Sequence, residues 1–332
     1  MIGLNRVLVG DAAMTLRRLP AGSVDCVVTS PPYFQLRNYQ HAGQLGLEAD
    51  VEHWVEHLRL VLREISRVLT PTGTVWLNVG DSYSTDAAQG APPKSLLLGP
   101  ERLALTLVGD GWYVRNKVVW SKRNPMPSPA RDRLAPTWEA VYLLVRQRDY
   151  FFDLDAIRVP HQTKKKPSTP KRAWSVPPDW RVTGSSNGGL DALNAEGRVG
   201  HPLGKNPGDV WRLSTASYRG SHHAVFPETL VERPILAGCP ERRCERCRSP
   251  WRRETIRKLG HLALRGELQP TCKCRASSEP GVVLDPFMGS GTTAVVAERL
   301  RRSWLGIEIN SKFAQLAEER IAAARATKRR VA

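Results

Sequence analysis

GVVLDPFMGSGTTAVVAERL, residues 281–300, runs a buried strand into a glycine turn and the turn into a helix. The apolar run 282–284 stops at Asp285, and Gly289 and Gly291 then follow with no Cβ to hold a ligand off the backbone. The helix after the turn offers its positive end to the same place. A second strand, SWLGIEI (303–309), comes next and carries Glu308, 19 residues beyond Gly289. A carboxylate there can accept hydrogen bonds from two ribose hydroxyls, so the unit reads as an α/β nucleoside site. The spacing also satisfies Gly-x-Gly-x-x-Ala with Ala294, which a nicotinamide or flavin dinucleotide would use, and a structural tight turn needs the same glycines.

Outward from this unit the chain keeps the α/β rhythm. RVLVGDA (6–12) reads as a strand ending at Gly10-Asp11, MTLRRLP (14–20) as a short helix stopped by Pro20, and VDCVVTS (24–30) as the next strand. In 50–69 the residues Trp54, Leu58, Val61, Leu62, Ile65 and Leu69 recur at steps of three and four, one apolar helical face. GTVWLNVGD (73–81) is a strand, SLLLGPERLALTLVGDG (95–111) carries a helix, and WYVRNKVVWSK (112–122) and EAVYLLVRQ (139–147) are strands. FPETLVERPILAG (226–238) is an amphipathic helix with Pro227 at its start, and 312–326 forms a C-terminal helix.

The strand 24–30 ends abruptly on Ser30-Pro31-Pro32-Tyr33. Two residues of fixed φ hold the backbone rigidly, so the Ser30 hydroxyl and the Pro31 carbonyl can act as paired acceptors while Tyr33 offers a flat face. Acceptors beside a platform suit the exocyclic amine of a planar base. The alternative is that Pro31 and Pro32 only end a strand over a core tyrosine.

Together TSPPY and DPFMGSGTT resemble the catalytic motif and cofactor loop of the amino-group DNA methyltransferases that use S-adenosylmethionine. The resemblance extends through GTVWLNVGDSY, KRNPMPSPARDRLAPTWEAVYLLV and KNPGDVW, and thins between about 160 and 200. Catalytic motif first and cofactor loop last is the circularly permuted β order of that family. It implies a Rossmann-like, seven-stranded mixed sheet in which the N-terminal strand lies beside the GIEI strand. The resemblance implies that Ser30, Pro31, Pro32 and Tyr33 hold the target base, and that Asp11, Phe226, Asp285, Phe287, Gly289, Gly291, Thr292 and Glu308 hold the cofactor. The Ser form of the tetrapeptide is associated with N4-cytosine, and Asp or Asn with adenine; chemistry alone leaves N6-adenine open. A base inside a duplex must be flipped out to reach such a site. Cys26 sits inside a strand and reads as a small buried hydrophobe rather than a nucleophile.

Lys and Arg number 49 against 32 Asp and Glu, a formal charge of +17, which favours a polyanionic partner, and the resemblance implies that this partner is double-stranded DNA. Residues 161–181 hold six Lys or Arg against one Asp, and 242–275 hold eleven against three acidic residues. Of six cysteines, five crowd into 239–274. Cys244, Cys247, Cys272 and Cys274 form a Cys-x2-Cys knuckle and a Cys-x-Cys return, suited to structural zinc with Cys239 left out. A zinc-containing DNA-binding protein without activity would share the charge and the cysteines but leaves Ser30–Tyr33 and Glu308 unexplained. The organisation expected is 1–150 as catalytic half, 151–222 as target-recognition insertion, 223–238 as cofactor-pocket helix, 239–275 as zinc module and 276–332 as cofactor-binding half. His222 and His223 read as loop or DNA-contact residues. With no membrane span or secretory signal, a cytoplasmic protein is expected, either monomer or homodimer. A nuclease partner, as in restriction-modification, is not inferable from the residues.

Overall fold

The computed structural model describes residues 3–39, 41–161, 201–216, 226–257 and 263–331. Most of the segment expected to act as the recognition insertion (162–200), together with His222 and His223, lies outside the described residues. The chain divides into two compact units. One comprises Met1–Asp153, Gly208–Arg252 and Leu268–Ala332, and the other Leu154–Pro207 and Arg253–Glu267.

The larger unit is built on one eight-stranded sheet. Its strands are β1 (Arg6–Val9), β2 (Val24–Thr29), β3 (Leu69–Val79), β4 (Tyr113–Lys122), β5 (Trp138–Val145), β6 (Val210–Leu213), β11 (Val282–Asp285) and β12 (Ser303–Glu308). Their order is β1-β12-β11-β2-β3-β5-β4-β6. Every residue of β2 and of β11 is buried, as expected of parallel strands covered on both faces. β1 pairs in parallel with β12, Val9 opposite Glu308, so the permuted order closes where the sequence placed it. β5 runs antiparallel to both β3 and β4 and makes the sheet mixed. The eighth strand, one more than expected, is β6, which extends the edge parallel to β4.

Helix α2 (Val51–Val68) buries Trp54, Leu58, Val61, Leu62 and Ile65, the face read from the sequence, and Asp50 caps it through the His53 amide. Two helices are shorter than expected. α1 is Ala12–Leu16, started by Asp11, whose carboxylate accepts from the Met14 amide at 2.8 Å, and it ends before Arg17. α3 is Gly99–Gly109, because Leu98 takes φ +54 and the Asp81 carboxylate accepts from the Leu98 and Gly99 amides, a cap supplied from the end of β3. α4 (Glu228–Gly238), α5 (Thr292–Arg299) and α6 (Ser311–Val331) complete the described helices. No described helix is long and apolar enough to cross a membrane.

The cysteine segment adds two small sheets, β7 (Arg242–Cys244) with β10 (Ser278–Pro280), and β8 (Trp251–Arg257) with β9 (Ala263–Pro270). Arg243 is 1% exposed and locks β7 under the main sheet. Its Nη1 donates to the Ser23 carbonyl and to Asp25 Oδ2, each at 2.8 Å, while Asp25 also accepts from the Val282 amide. In the smaller unit, Asp155 accepts from Arg158 and from the Thr255 hydroxyl, and Val159 bridges to Lys205.

Candidate active site

The connection after β11 passes through α5 to β12 on one side, and that after β2 passes through α2 to β3 on the other. Strand order therefore reverses between β11 and β2, and a crevice opens beyond their carboxyl ends. Thr29 Oγ1 donates to Asp285 Oδ1 at 2.6 Å, and Thr293 Oγ1 to Asp285 Oδ2 at 2.7 Å, stitching the two strand ends together. Burial pushes the Asp285 carboxyl up to about 6, against the lowering effect of these hydroxyls and the Phe287 amide. Asp285 is 1% exposed and does not line the crevice, so its place is in the frame of the site.

The crevice is lined by Asp11, Ser30, Pro32, Phe226, Phe287, Gly289, Thr292 and Glu308 among others. Residues 281–300 and the strand end at Ser30 thus meet across some 260 residues of chain, because β11 and β2 are neighbours. Gly289 and Gly291 take φ of +49 and +79, which the turn requires. A Cβ on Gly291 would come within 3.0 Å of Ala317, so this glycine serves helix packing and lies off the crevice wall. Glu308 Oε2 accepts from the Gly289 amide and Oε1 from the Asn310 amide, at 2.8 and 2.9 Å. Burial raises its pKa above the usual carboxylate value, and these amides work against the rise. Asp11 divides its carboxylate between the crevice and the α1 cap.

At the other wall, the Pro32 carbonyl is taken by Trp54 Nε1 at 2.9 Å, while no described donor engages the Pro31 carbonyl. Ser30 Oγ donates to the Tyr33 hydroxyl at 3.2 Å, and Tyr33 donates to Glu139 Oε2 at 2.7 Å. Glu139 also accepts from Asn78 Nδ2 at 3.1 Å and from Lys122 Nζ at 2.5 Å. Burial, then the Glu139 charge, raises the Tyr33 phenol well above its ordinary value, so Tyr33 stays a proton donor. A Cβ on Gly80 would approach Tyr33 Cε2 to 2.7 Å, so the glycine is needed to seat the ring. Glu139, Asn78 and Lys122 escaped the sequence reading; the signal available was that all three lie at strand ends on the side where Ser30 emerges.

Cys244, Cys247, Cys272 and Cys274 converge, their sulfurs all within 4.8 Å of one another, and all six cysteines are unpaired. Four thiolates on a zinc ion stand about 3.8 Å apart, so a small inward adjustment suffices for a tetrahedral site. Hydrogen bonding from Ser249 brings the Cys247 thiol down to about 6, and hydrogen bonds to Cys247 and Cys272 push Cys274 up to about 12. A bound divalent cation would replace this proton sharing with neutralisation. Cys239 is fully buried against the Pro240 carbonyl and apart from the cluster; Cys26 is likewise buried, beside Thr74, with its thiol pushed up to about 12.

Residues 24–319 match the family model for N6/N4-type DNA methylases. The chain belongs to that family. The methylase is 32% identical over 337 residues to the type II methyltransferase M.SmaI of Serratia marcescens, covering 95% of this chain and 90% of the relative. It is 32% identical over 408 residues to M.SfiI of Streptomyces fimbriatus, covering 92% and 88%. Its fold is similar to that of the PvuII DNA methyltransferase (cytosine-N4-specific), with TM-score 0.58, 17% identity and coverage of 97% of this chain and 95% of that one. The methylase is thus an enzyme of the circularly permuted class, with S-adenosylmethionine as methyl source and DNA as partner.

Proposed function

We propose that the chain methylates the exocyclic N4 of cytosine in duplex DNA at a specific sequence, taking the base out of the helix to do so. The observation that carries transfer to an exocyclic amine is the hydrogen-bond chain at Ser30, and the choice of cytosine follows from the Ser form of the tetrapeptide. Its hydroxyl proton is committed to Tyr33, whose own proton is committed to Glu139, so the Ser30 lone pairs are left to accept. With the neighbouring Pro31 carbonyl, the site offers paired acceptors to an amino group.

Cytosine N4 is a weak nucleophile because its lone pair is delocalised into the ring. Ser30 Oγ and the Pro31 carbonyl would each accept an N4 hydrogen and draw the nitrogen toward a tetrahedral geometry, which localises that lone pair. Glu139 and Gly80 hold Tyr33 as the platform for the ring. These are positioning and electrostatic effects, and no covalent adduct to the base is needed. S-adenosylmethionine supplies an electrophilic methyl group when bound. Phe287 and Phe226 would pack against it, the Gly289 turn would let it approach the backbone, and the outward lone pairs of Glu308 would accept its ribose hydroxyls. Asp11 would lie near its adenine and Thr292 at its methionyl end. Asp285 would act by holding the turn. The four clustered thiolates would hold zinc as a folding element with no open position.

The smaller unit, with the residues between 162 and 200, would read the sequence, and the basic segments would meet phosphates. Unpaired thiols throughout suit action in the cytoplasm. Labelled-methyl transfer to duplex DNA followed by digestion to nucleosides tests the assignment. N4-methylcytidine is the expected product, and N6-methyladenosine would overturn the choice of base while leaving the fold and cofactor in place.

A further inference from the structure

The connection 123–137, between β4 and β5, is rooted at the catalytic corner. Its stems close through the Lys122 amide on the Thr137 carbonyl at 2.9 Å, and Lys122 Nζ donates to Glu139, the carboxylate that holds Tyr33. Arg123 and Asn124 are pinned in turn to the end of β6 and the segment after it, through the Leu213 carbonyl and the Thr215 amide. Beyond these anchors the loop carries Met126 at 86% and Leu134 at 91% exposure, the two most exposed large hydrophobic side chains among the described residues. Pro125, Pro127, Pro129 and Pro136 stiffen the backbone that presents them. Arg123, Arg131 and Arg133 flank them at exposed positions, and the single acid, Asp132, is paired with Lys94 at 2.9 Å. Arg133 is braced over the Tyr83 ring, 3.7 Å from its centroid.

A stiff apolar tip set among cations beside a base pocket has the composition of a duplex wedge. Methionine, leucine and proline are the side chains that enter base steps, and arginines suit the phosphates on either side. The tip also has the right reach, since Met126 stands four residues from Lys122 and Leu134 four from Trp138, at most about 14 Å from either stem. One loop can therefore serve both the base in the pocket and the gap it leaves behind. We propose that Met126 and Leu134 enter the DNA stack at the position vacated by the target base, while Arg123, Arg131 and Arg133 hold the flanking phosphates. This rests on the base-flipping reading above.

The test uses the full chain and a duplex carrying the site mapped in DNA methylated by the wild-type protein. The target cytosine is either paired with guanine or set opposite an abasic site, where unpairing costs little. The Met126→Ala/Leu134→Ala protein should lose roughly tenfold or more on the paired duplex, the compensation for one unstacked step, yet stay within about twofold of wild type on the abasic duplex. Met126→Leu/Leu134→Met should restore the paired rate. Both side chains stand outside the core, so thermal melting should be unchanged. An undiminished paired rate, an equal loss on both duplexes, or a change in oligomeric state without a change in paired rate would each overturn the wedge. A wild-type protein that methylates only single-stranded DNA would instead remove the flipping reading on which the wedge depends.

Discussion

Replacing Glu139 with alanine should separate catalysis from cofactor binding. The side chain accepts from Tyr33 at 2.7 Å, Asn78 at 3.1 Å and Lys122 at 2.5 Å, and it does not line the cofactor crevice. The Lys122–Glu139 pair is 21% and 16% exposed, between a surface pair of up to ~1 kcal/mol and a buried pair whose breaking costs ~3–5 kcal/mol. About 2 kcal/mol for the pair, with about 1 kcal/mol for each remaining hydrogen bond, gives a destabilisation of about 4 kcal/mol. Glu139→Gln keeps an acceptor for Tyr33 and should cost about half as much. The catalytic loss comes from Tyr33 and Ser30 being released, and a displacement of about 1 Å is worth on the order of 100-fold. Single-turnover methyl transfer at saturating S-adenosylmethionine should show that loss for Glu139→Ala and partial recovery for Glu139→Gln. Urea unfolding supplies the stability, and cofactor titration should give an unchanged dissociation constant. A Glu139→Ala protein that folds and turns over within threefold of wild type would refute the argument that this carboxylate sets the geometry of Ser30.

Other outcomes follow from single features of the structure. The folded-state pKa of Asp285 is raised to about 6 from 3.8. Its contribution to stability is therefore present at acid pH and fades as pH rises through about 6; Asp285→Asn should flatten this part of the pH profile measured by urea unfolding at pH 4.5 and 7.5. At Gly291, φ +79 and the 3.0 Å approach to Ala317 mean that a valine should cost about 2 kcal/mol or more and weaken cofactor binding, measurable by thermal melting and cofactor titration. Gly80→Ala should push the Tyr33 ring from its seat and lower the turnover rate with little effect on cofactor affinity. Purified protein should contain about one zinc per chain by metal analysis; Cys272→Ser, or a strong chelator, should release it and lower the melting temperature. Metal-free protein with unchanged melting would reject the folding role.

Period and spacing made much of this protein readable. The buried face of α2 followed from residues at steps of three and four, and the glycine turn with Glu308 followed from a strand, two glycines and one acid. What stayed hidden arose from groups distant in sequence. The start of α3 is set by Asp81, the stem of the catalytic corner by Glu139 and Lys122, and the seating of the cysteine segment by Arg243 against Asp25.

The sequence by itself determined the chemistry present: a rigid Ser-Pro-Pro-Tyr shelf, a glycine turn with its carboxylate, and four thiols in knuckle spacing. Those are local properties, fixed by side-chain type and by backbone restrictions that act over a few residues. Only the tertiary structure decided what each group does with its hydrogen bonds. Asp285 turned inward to Thr29 and Thr293 instead of facing the crevice, and Ser30 gives its proton to Tyr33, whose own proton goes to Glu139, which supports the acceptor role proposed above. Such assignments depend on strand register, since Glu139 reaches Tyr33 from a strand more than a hundred residues away. Register is fixed by the packing of the whole sheet, which no short stretch of sequence contains.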